Sequence, residues 1–496
     1  MNTKVRLCAA ILALASFSAV LASCGSSEPA DTKTTTADTA ADTAIATEEV
    51  TTDYMPELPA KDYGGDEFLI LTSSDADDNG VDWVTKDIYA EAATGDVITD
   101  AVYERNVWLE ETFNIKINQF QCVTMTETKK AVQAGATEYD AVITAIANGC
   151  NMGAGNFVLD LAQVPYIDLG QSWWDQGIRR DVTINDRTYI ATGDISIVDN
   201  DATWVLMFNK QMAQNQDYDL YQLVRDNKWY YETMYDMVKN CAKDLNGDGK
   251  MTWQDDQYGF ATTNDSAQGL LYASGLTLSS RDSDGYPIIE TDLDRLTNVV
   301  IEAGKFMSDK TITINAANMT GATSATDECR FLFEGGRALF YGEVMQCVTR
   351  MRDSTTDFGL IPWPKFDETQ ENFYCYVHST AGKGVCIPTT QPDPEMAGII
   401  IEAMAAKSVS TVTEAYYDKA LTYKYMRDEE SAQMLDIILS NRLFDLAYSY
   451  NWGSLYAQIQ SLILTGKDTV ASTWDKRLSA AEKALQKTID AYKENE

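Results

Sequence analysis

From residue 66 onward, short fully apolar runs alternate with longer stretches of helical period, and this alternation limits the fold more than any other feature. Glu67-Phe68-Leu69-Ile70-Leu71-Thr72 follows Gly64-Gly65, and an apolar run of that length bounded by glycine predicts a buried strand. In 96–113, Ile98, Val102, Leu109 and Phe113 share one helical face, with Asp96 at the capping position after Gly95. Ile115 to Phe120 is a second strand, 126–134 a second helix and Tyr139 to Thr144 a third strand. Strand–helix–strand order with continuous apolar strands predicts a parallel sheet covered on both faces, an α/β fold. Ligands of such sheets bind beyond the carboxyl ends of the strands. Those ends lead here into Ser73 to Trp83 and Ala145 to Asn151.

The second half is richer in helices. Trp229–Cys241, 395–407 and 428–442 carry helical spacing, and 473–492 places Trp474, Leu478, Ala481, Leu485 and Tyr492 on one stripe. Phe358-Gly359-Leu360-Ile361-Pro362-Trp363-Pro364 is extended and punctuated by proline. No internal repeat occurs, which excludes solenoids and propellers.

The first residues are a processing signal. Lys4 and Arg6 precede an uncharged run from Leu7 to Ala22, and those ~16 residues fall short of the ~20 a bilayer needs. Leu21-Ala22-Ser23-Cys24 resembles the lipobox of bacterial lipoproteins. That resemblance implies cleavage after 1–23 and acylation of Cys24, which would tether the chain outside the cytoplasmic membrane. Residues 24–60 form a linker of Ser, Thr, Ala and Asp with few large apolar groups, predicted to stay disordered. As a flexible coil it would span about 30–36 Å.

Charge and histidine content exclude whole classes of function. The chain has 39 Lys+Arg against 75 Asp+Glu, a net −36, and residues 61–496 alone keep −31. Such a field repels phosphate backbones and anionic lipids, so neither nucleic acid nor a membrane surface is an expected partner. With one histidine, His378, no site of several histidines can be built. Any Ser-His-Asp machine would have to pass through that residue, and no GxSxG or SxxK stands in a suitable turn. His378 is therefore a ligand contact, a hinge residue or a satisfied loop histidine. Beyond Cys8 and Cys24, seven cysteines remain without CxxC spacing, and they are expected to be mostly free, buried thiols.

One local motif is specific. Residues 244–255, Asp-Leu-Asn-Gly-Asp-Gly-Lys-Met-Thr-Trp-Gln-Asp, fit the calcium-loop pattern. Ca²⁺ takes six to eight oxygens. Asp244, Asn246, Asp248 and Asp255 would supply side-chain oxygens, Lys250 its carbonyl, and Gly249 the sharp turn. The exit at Asp256-Gln257-Tyr258-Gly259-Phe260 turns into a strand, which predicts a structural clip instead of a sensor. A dockerin would need a second such loop, and none is present.

The lipobox, linker and α/β body together resemble the extracellular solute-binding lipoproteins of ABC importers, particularly the carbohydrate-type group. The resemblance rests on ordered segments: Gly95-Asp96 with Asp100 to Asn106, Leu206 to Lys210, Lys228-Trp229, Tyr258-Gly259-Phe260, Phe331 to Ala338, Phe358 to Pro364, and Arg427 to Ala432. It implies a two-lobed, type II periplasmic-binding-protein-like fold with hinge crossovers and a helical C-terminal part. The lobes would be 61–165 plus about 325–385, and 166–324 plus about 386–496. It further implies a monomer with no catalysis, solute held between the lobes, docking on permease subunits, and a place on the extracellular face of the cytoplasmic membrane. A structural Ca²⁺ loop occurs in such relatives.

A sugar offers apolar faces and a rim of hydroxyls, so its binder needs aromatic platforms beside convergent polar groups. On that ground the candidates are Trp83 beside Asp82, Trp204 just after Asp201, Tyr272, Trp363, and Trp452 beside Asn451. Asn148 ends a predicted strand and Glu343 follows Tyr341-Gly342. Trp173-Trp174 is expected to pack a lobe. The competing function is a secreted glycoside hydrolase acting through a carboxylate pair, although no pair is marked by sequence.

Overall fold

The computed structural model describes residues 55–77, 80–417 and 429–495. The signal, Cys24, most of the linker and the segment containing Arg427-Asp428 lie outside the described residues. In chain order the strands are β1 (Asp66–Ser73), β2 (Ile115–Cys122), β3 (Ala141–Ala145), β4 (Trp204–Asn209), β5 (Tyr258–Thr262), β6 (Ser280–Arg281) and β7 (Pro287–Ile288). They continue with β8 (Thr313–Asn315), β9 (Ala338–Val344), β10 (Phe358–Ile361), β11 (Cys375–Tyr376), β12 (Lys383–Cys386) and β13 (Arg442–Leu443).

The first sheet has the order β12-β3-β1-β2. Its three N-terminal strands are parallel, as their apolar runs predict, and β12 joins β3 antiparallel with Lys383 opposite Ala145. The helix Val97–Phe113 connects β1 to β2, and Asp96 caps it by accepting from the Thr99 N–H at 3.1 Å. Alternation along β1 divides its side chains: Phe68 and Ile70 pack with Leu109, Phe113 and Ile399, while Leu71 joins a second cluster.

The second sheet has the order β10-β4-β9-β5-β8 and is mixed. β9 lies at its centre, antiparallel to β4 and parallel to β5, and every residue of Ala338–Val344 is buried.

This pairing corrects the expected lobe boundaries. Residues 338–361, assigned above with 61–165, form β9 and β10 of the second sheet, while 383–408 return to the first. Periodicity reports that a strand is buried on both faces but says nothing of which strand lies beside it. The helix Pro394–Ser408 was expected in the other lobe, yet Ile399, Ile400 and Ile401 pack with Phe68 and Ile115.

Chain segments that pass between the sheets pair with one another. The His378 N–H donates to the Ala202 carbonyl at 3.0 Å, Thr203 bridges Val377, and Ala191 bridges Val385. The predicted C-terminal stripe appears on the helix Val470–Glu494, where Trp474, Ala481, Leu485 and Tyr492 are buried. Trp173 and Trp174 are core residues, and their indole N–H groups donate to the two oxygens of buried Glu402 at 3.1 and 3.0 Å. All seven described cysteines are free; six are buried and Cys122 is half-buried.

Candidate functional site

The loop after β1 is tied back to the strand: the Thr85 N–H donates to the Ser73 carbonyl at 3.1 Å and the Ser73 N–H to Thr85 Oγ1 at 3.3 Å. This fixes Asp82 and Trp83 beyond the carboxyl end of the first sheet. From the second sheet, β9 leads into the short helix Gln346–Arg350. The two meet. Arg350 Nη2 lies 2.8 Å from Asp82 Oδ1, and Gln346 Nε2 donates to the Asp82 carbonyl at 2.6 Å.

Beside this contact lies a cavity of about 500 Å³, lined among others by Trp83, Asp87, Asp201, Gln346, Arg350 and Tyr416. Its polar groups are held in place. Tyr416 donates its hydroxyl to Asp201 Oδ1 at 3.0 Å, and Asp87 Oδ2 accepts from the Ile197 N–H at 2.6 Å. Burial pushes the Asp87 carboxyl upward, and hydrogen bonds from Ser196 and Ile197 oppose that shift. The result is a half-buried indole facing a ring of carboxylate, amide and guanidinium groups. Such a set suits a polyol with one apolar face.

Of the eight residues singled out for ligand binding, Trp83 and Asp201 line this cavity. Four others require correction. Trp204 is 2% exposed and stacks on Tyr376 at 5.8 Å; Tyr272 is buried and donates to Asp445 Oδ2 at 3.1 Å. Trp363 is fully buried edge-on to Phe260, and Trp452 stacks on Tyr450 while its indole N–H reaches Thr488. Large rings at strand ends remove the most apolar area from water when they meet other rings, so the core takes them. Asn148 and Glu343 are also buried away from the cavity. The Glu343 carboxyl is pushed up to about 7 by burial, against a 3.0 Å hydrogen bond from the Val344 N–H.

His378 sits on a crossing segment as a satisfied side chain. Its Nδ1 is 3.1 Å from Thr380 Oγ1, its Nε2 is 3.3 Å from the Tyr448 hydroxyl, and burial pushes its pKa down. Sequence reasoning missed Gln346, Arg350 and Tyr416. The first two carried a usable signal, since they follow the apolar run Ala338–Val344 and so lie beyond the end of a strand. Tyr416 carried none, because it follows the helix Pro394–Ser408 through a stretch, 409–414, that mixes buried and exposed residues and marks no strand end.

Loop 244–255 spends its oxygens on its own backbone. Asp244 accepts from the N–H groups of Gly247 and Gly249 at 2.7 and 2.8 Å, Asn246 from Asp248 at 2.9 Å, and Asp248 from Lys250 at 2.8 Å. Gly247 and Gly249 adopt φ of 74° and 80°, the left-handed region these turns require. Asp256 anchors the loop from beneath. Its carboxyl accepts from Thr252 N at 2.7 Å and Leu245 N at 2.9 Å, and these bonds hold it below the usual carboxylate range. The turns suit an oxygen-ligated cation, but among the described residues no group of three or more His, Cys, Asp or Glu converges to hold a metal ion.

No family model and no curated protein matches the sequence. Solved structures do. The maltose/maltodextrin-binding domain MalE from Bdellovibrio bacteriovorus, bound to maltotriose, is 14% identical; the match covers 85% of this chain and all of that one, with a TM-score of 0.51. RafE from Streptococcus pneumoniae, in its apo form, is 15% identical over 86% of this chain and 98% of that one, with a TM-score of 0.52. The GacH receptor of Streptomyces glaucescens, solved unliganded and with acarbose, is 12% identical over 87% and 98%, with a TM-score of 0.50. Likeness over whole chains at so low an identity is a statement about architecture: this protein has the two-sheet α/β fold of the maltodextrin- and acarbose-binding proteins.

Proposed function

We propose that this protein is a receptor that captures a sugar or oligosaccharide in the cavity at Trp83 and delivers it to an ABC permease, tethered to the membrane through acylated Cys24. The observation that carries the reading is the cavity's position, where the loop after β1 meets the helix after β9 at the strand ends of the two sheets. The shared fold supports it, since MalE holds maltotriose and GacH binds acarbose.

Binding is favoured over glycoside hydrolysis because most of the cavity's carboxylate oxygens are already engaged. Asp82 pairs with Arg350, Asp87 accepts a backbone N–H, Asp96 caps a helix and Asp201 accepts from Tyr416. Asp87 keeps one buried oxygen, Oδ1, without a partner, but hydrolysis needs a second carboxylate opposed to it, and the other three are held by Arg350, the Thr99 N–H and the Tyr416 hydroxyl.

Calorimetric titration of the chain lacking its signal against a panel of neutral glycans should reveal at least one ligand. Trp83→Ala should then weaken that ligand about tenfold or more, through loss of an apolar face worth roughly 1.5–3 kcal/mol. Silence across the panel, or full affinity in the variant, would remove the sugar from the proposal. Product released on incubation with the same glycans would favour the hydrolase.

Ca²⁺ in loop 244–255 is part of the same proposal and is supported by the ligand spacing and the glycine turns. A native-state ligand at 100 times its Kd stabilises by about 2.7 kcal/mol, so chelation should lower the melting temperature by several degrees. The double change Asp244→Ala/Asp248→Ala should abolish that difference. Identical melting with and without chelator in the unaltered protein would retire the metal.

A further inference from the structure

On a different part of the surface, a larger recess of about 650 Å³ opens between the helix Gln176–Val182, the turn 183–188 and the turn at Gly285. It shares no lining residue with the cavity at Trp83. Three arginines, Arg179, Arg180 and Arg281, line it in a chain whose net charge is −36.

These cations are not equally occupied. Arg180 is bidentate to Asp181, at 2.6 and 2.7 Å. Arg281 is held only by neutral acceptors: its Nε donates to the Thr183 carbonyl at 3.1 Å, and its Nη2 to the carbonyls of Asp181 and Thr183 at 2.6 and 2.8 Å. Those bonds fix the guanidinium plane; the Asp181 carboxylate acts on it from further off, but among the described residues none lies within ion-pair distance. Arg179 likewise has no carboxylate within ion-pair distance among the described residues. Of the two acids on the lining, Asp168 is bonded to Gly170 N at 3.0 Å and Gln171 Nε2 at 2.6 Å, and Asp186 is exposed.

The rim is rigid and polar. Asn185 and Asp186 adopt φ of 46° and 61°, and the Asn185 N–H donates to the Gly285 carbonyl at 3.1 Å, locking the two turns together. The hydroxyls of Thr183 and Thr188 lie 2.8 Å apart.

We propose that this recess is a second binding site, for a sugar-sized oxyanion: a hydroxylated ligand carrying a carboxylate, phosphate or sulfate. A planar guanidinium matches such groups with two parallel hydrogen bonds. Thr183 donates its hydroxyl to the Arg179 carbonyl at 2.5 Å and Asn185 Nδ2 donates to the Tyr286 hydroxyl at 2.9 Å, so the Asn185 amide oxygen is the acceptor they leave for the hydroxylated body. Two guanidiniums without an ion pair, Arg179 and Arg281, set this recess apart from a surface that at a net −36 repels anions.

Calorimetry on the whole signal-processed protein at low salt tests this with glucuronate, glucose 6-phosphate, inorganic phosphate and neutral glucose. Glucuronate or glucose 6-phosphate should bind, glucose should not, and phosphate alone should bind more weakly than its sugar ester. Arg179→Gln and Arg281→Gln should each weaken the acidic sugar about tenfold or more, as loss of a charge-assisted hydrogen bond does, while Trp83→Ala leaves it unchanged. Arg281→Lys should recover only part of the affinity. Among the described residues the Arg179 side chain has no hydrogen-bonded partner, so its variant decides the matter if Arg281→Gln unfolds. Equal binding of glucose and glucuronate, absence of heat with every oxyanion, or full affinity in Arg179→Gln would overturn the site. Because the Trp83 variant is silent here, failure of this site and failure of the sugar-receptor reading are separable.

Discussion

Replacing Arg442 by alanine should lower the free energy of unfolding by about 3–5 kcal/mol, the range for breaking a buried ion cluster by removing one partner. Arg442 opens β13 and is 8% exposed. Its guanidinium lies 2.5 Å from Asp175 Oδ2 and 3.0 Å from Asp199 Oδ2, and donates to Asn200 Oδ1 at 2.7 Å. One cation thus holds two acids, and those acids serve separate elements. Asp175 caps the helix Gln176–Val182 through the Gly177 and Ile178 N–H groups, while Asp199 sits fully buried just before β4. Burial pushes the Asp199 carboxyl up to about 7, and Arg442 pulls it back. Without the arginine, two carboxylates would face each other in a poorly solvated space. Urea denaturation should show the loss as a lower midpoint at an unchanged slope. Adding Asp199→Asn to Arg442→Ala should restore part of it, since one uncompensated charge disappears. A loss below about 1 kcal/mol, the scale of an exposed pair, would show that water reaches the cluster.

Gly398→Ala should also destabilise, against what helix propensity predicts. Alanine in place of glycine within a helix such as Pro394–Ser408 ordinarily gains up to about 1 kcal/mol. Here a Cβ at 398 would fall on the carbonyl group of Pro165 and lie 3.0 Å from Val164 Cγ1. A main-chain carbonyl cannot swing aside as a side chain can, so the helix must move. Its neighbours Ile399, Ile400 and Ile401 are all buried against the first sheet, and a shift would loosen that packing. Overpacking of this kind costs about 1–3 kcal/mol, enough to reverse the sign. A stabilised Gly398→Ala protein would mean that the helix does not approach residue 165 so closely.

Much of the first sheet was legible because each element carries its own evidence. Phe68 and Ile70 declare a strand, Asp96 a helix start, and the stripe from Trp474 to Tyr492 a packed helix face. Partnership was not legible. Ala338–Val344 is equally apolar whichever strands flank it, and only the folded chain shows it between β4 and β5. The aromatic candidates failed for a related reason. Trp204 beside Asp199, Asn200 and Asp201 resembles a sugar platform in sequence, yet the ring that covers it is Tyr376, which lies 172 positions away in the chain. Trp83 differs: it stays half-buried and lines the cavity.

That same Asp82–Arg350 contact sets how the cavity's mouth behaves. Both side chains are partly exposed, 55% and 35%, and a pair so well solvated stabilises by at most about 1 kcal/mol. On its own that is a preference of at most about fivefold for the made contact over the parted one, which thermal motion undoes readily. A solute entering the cavity would need little energy to part this contact, and any stronger hold of one side on the other would have to come from the solute's own contacts with both.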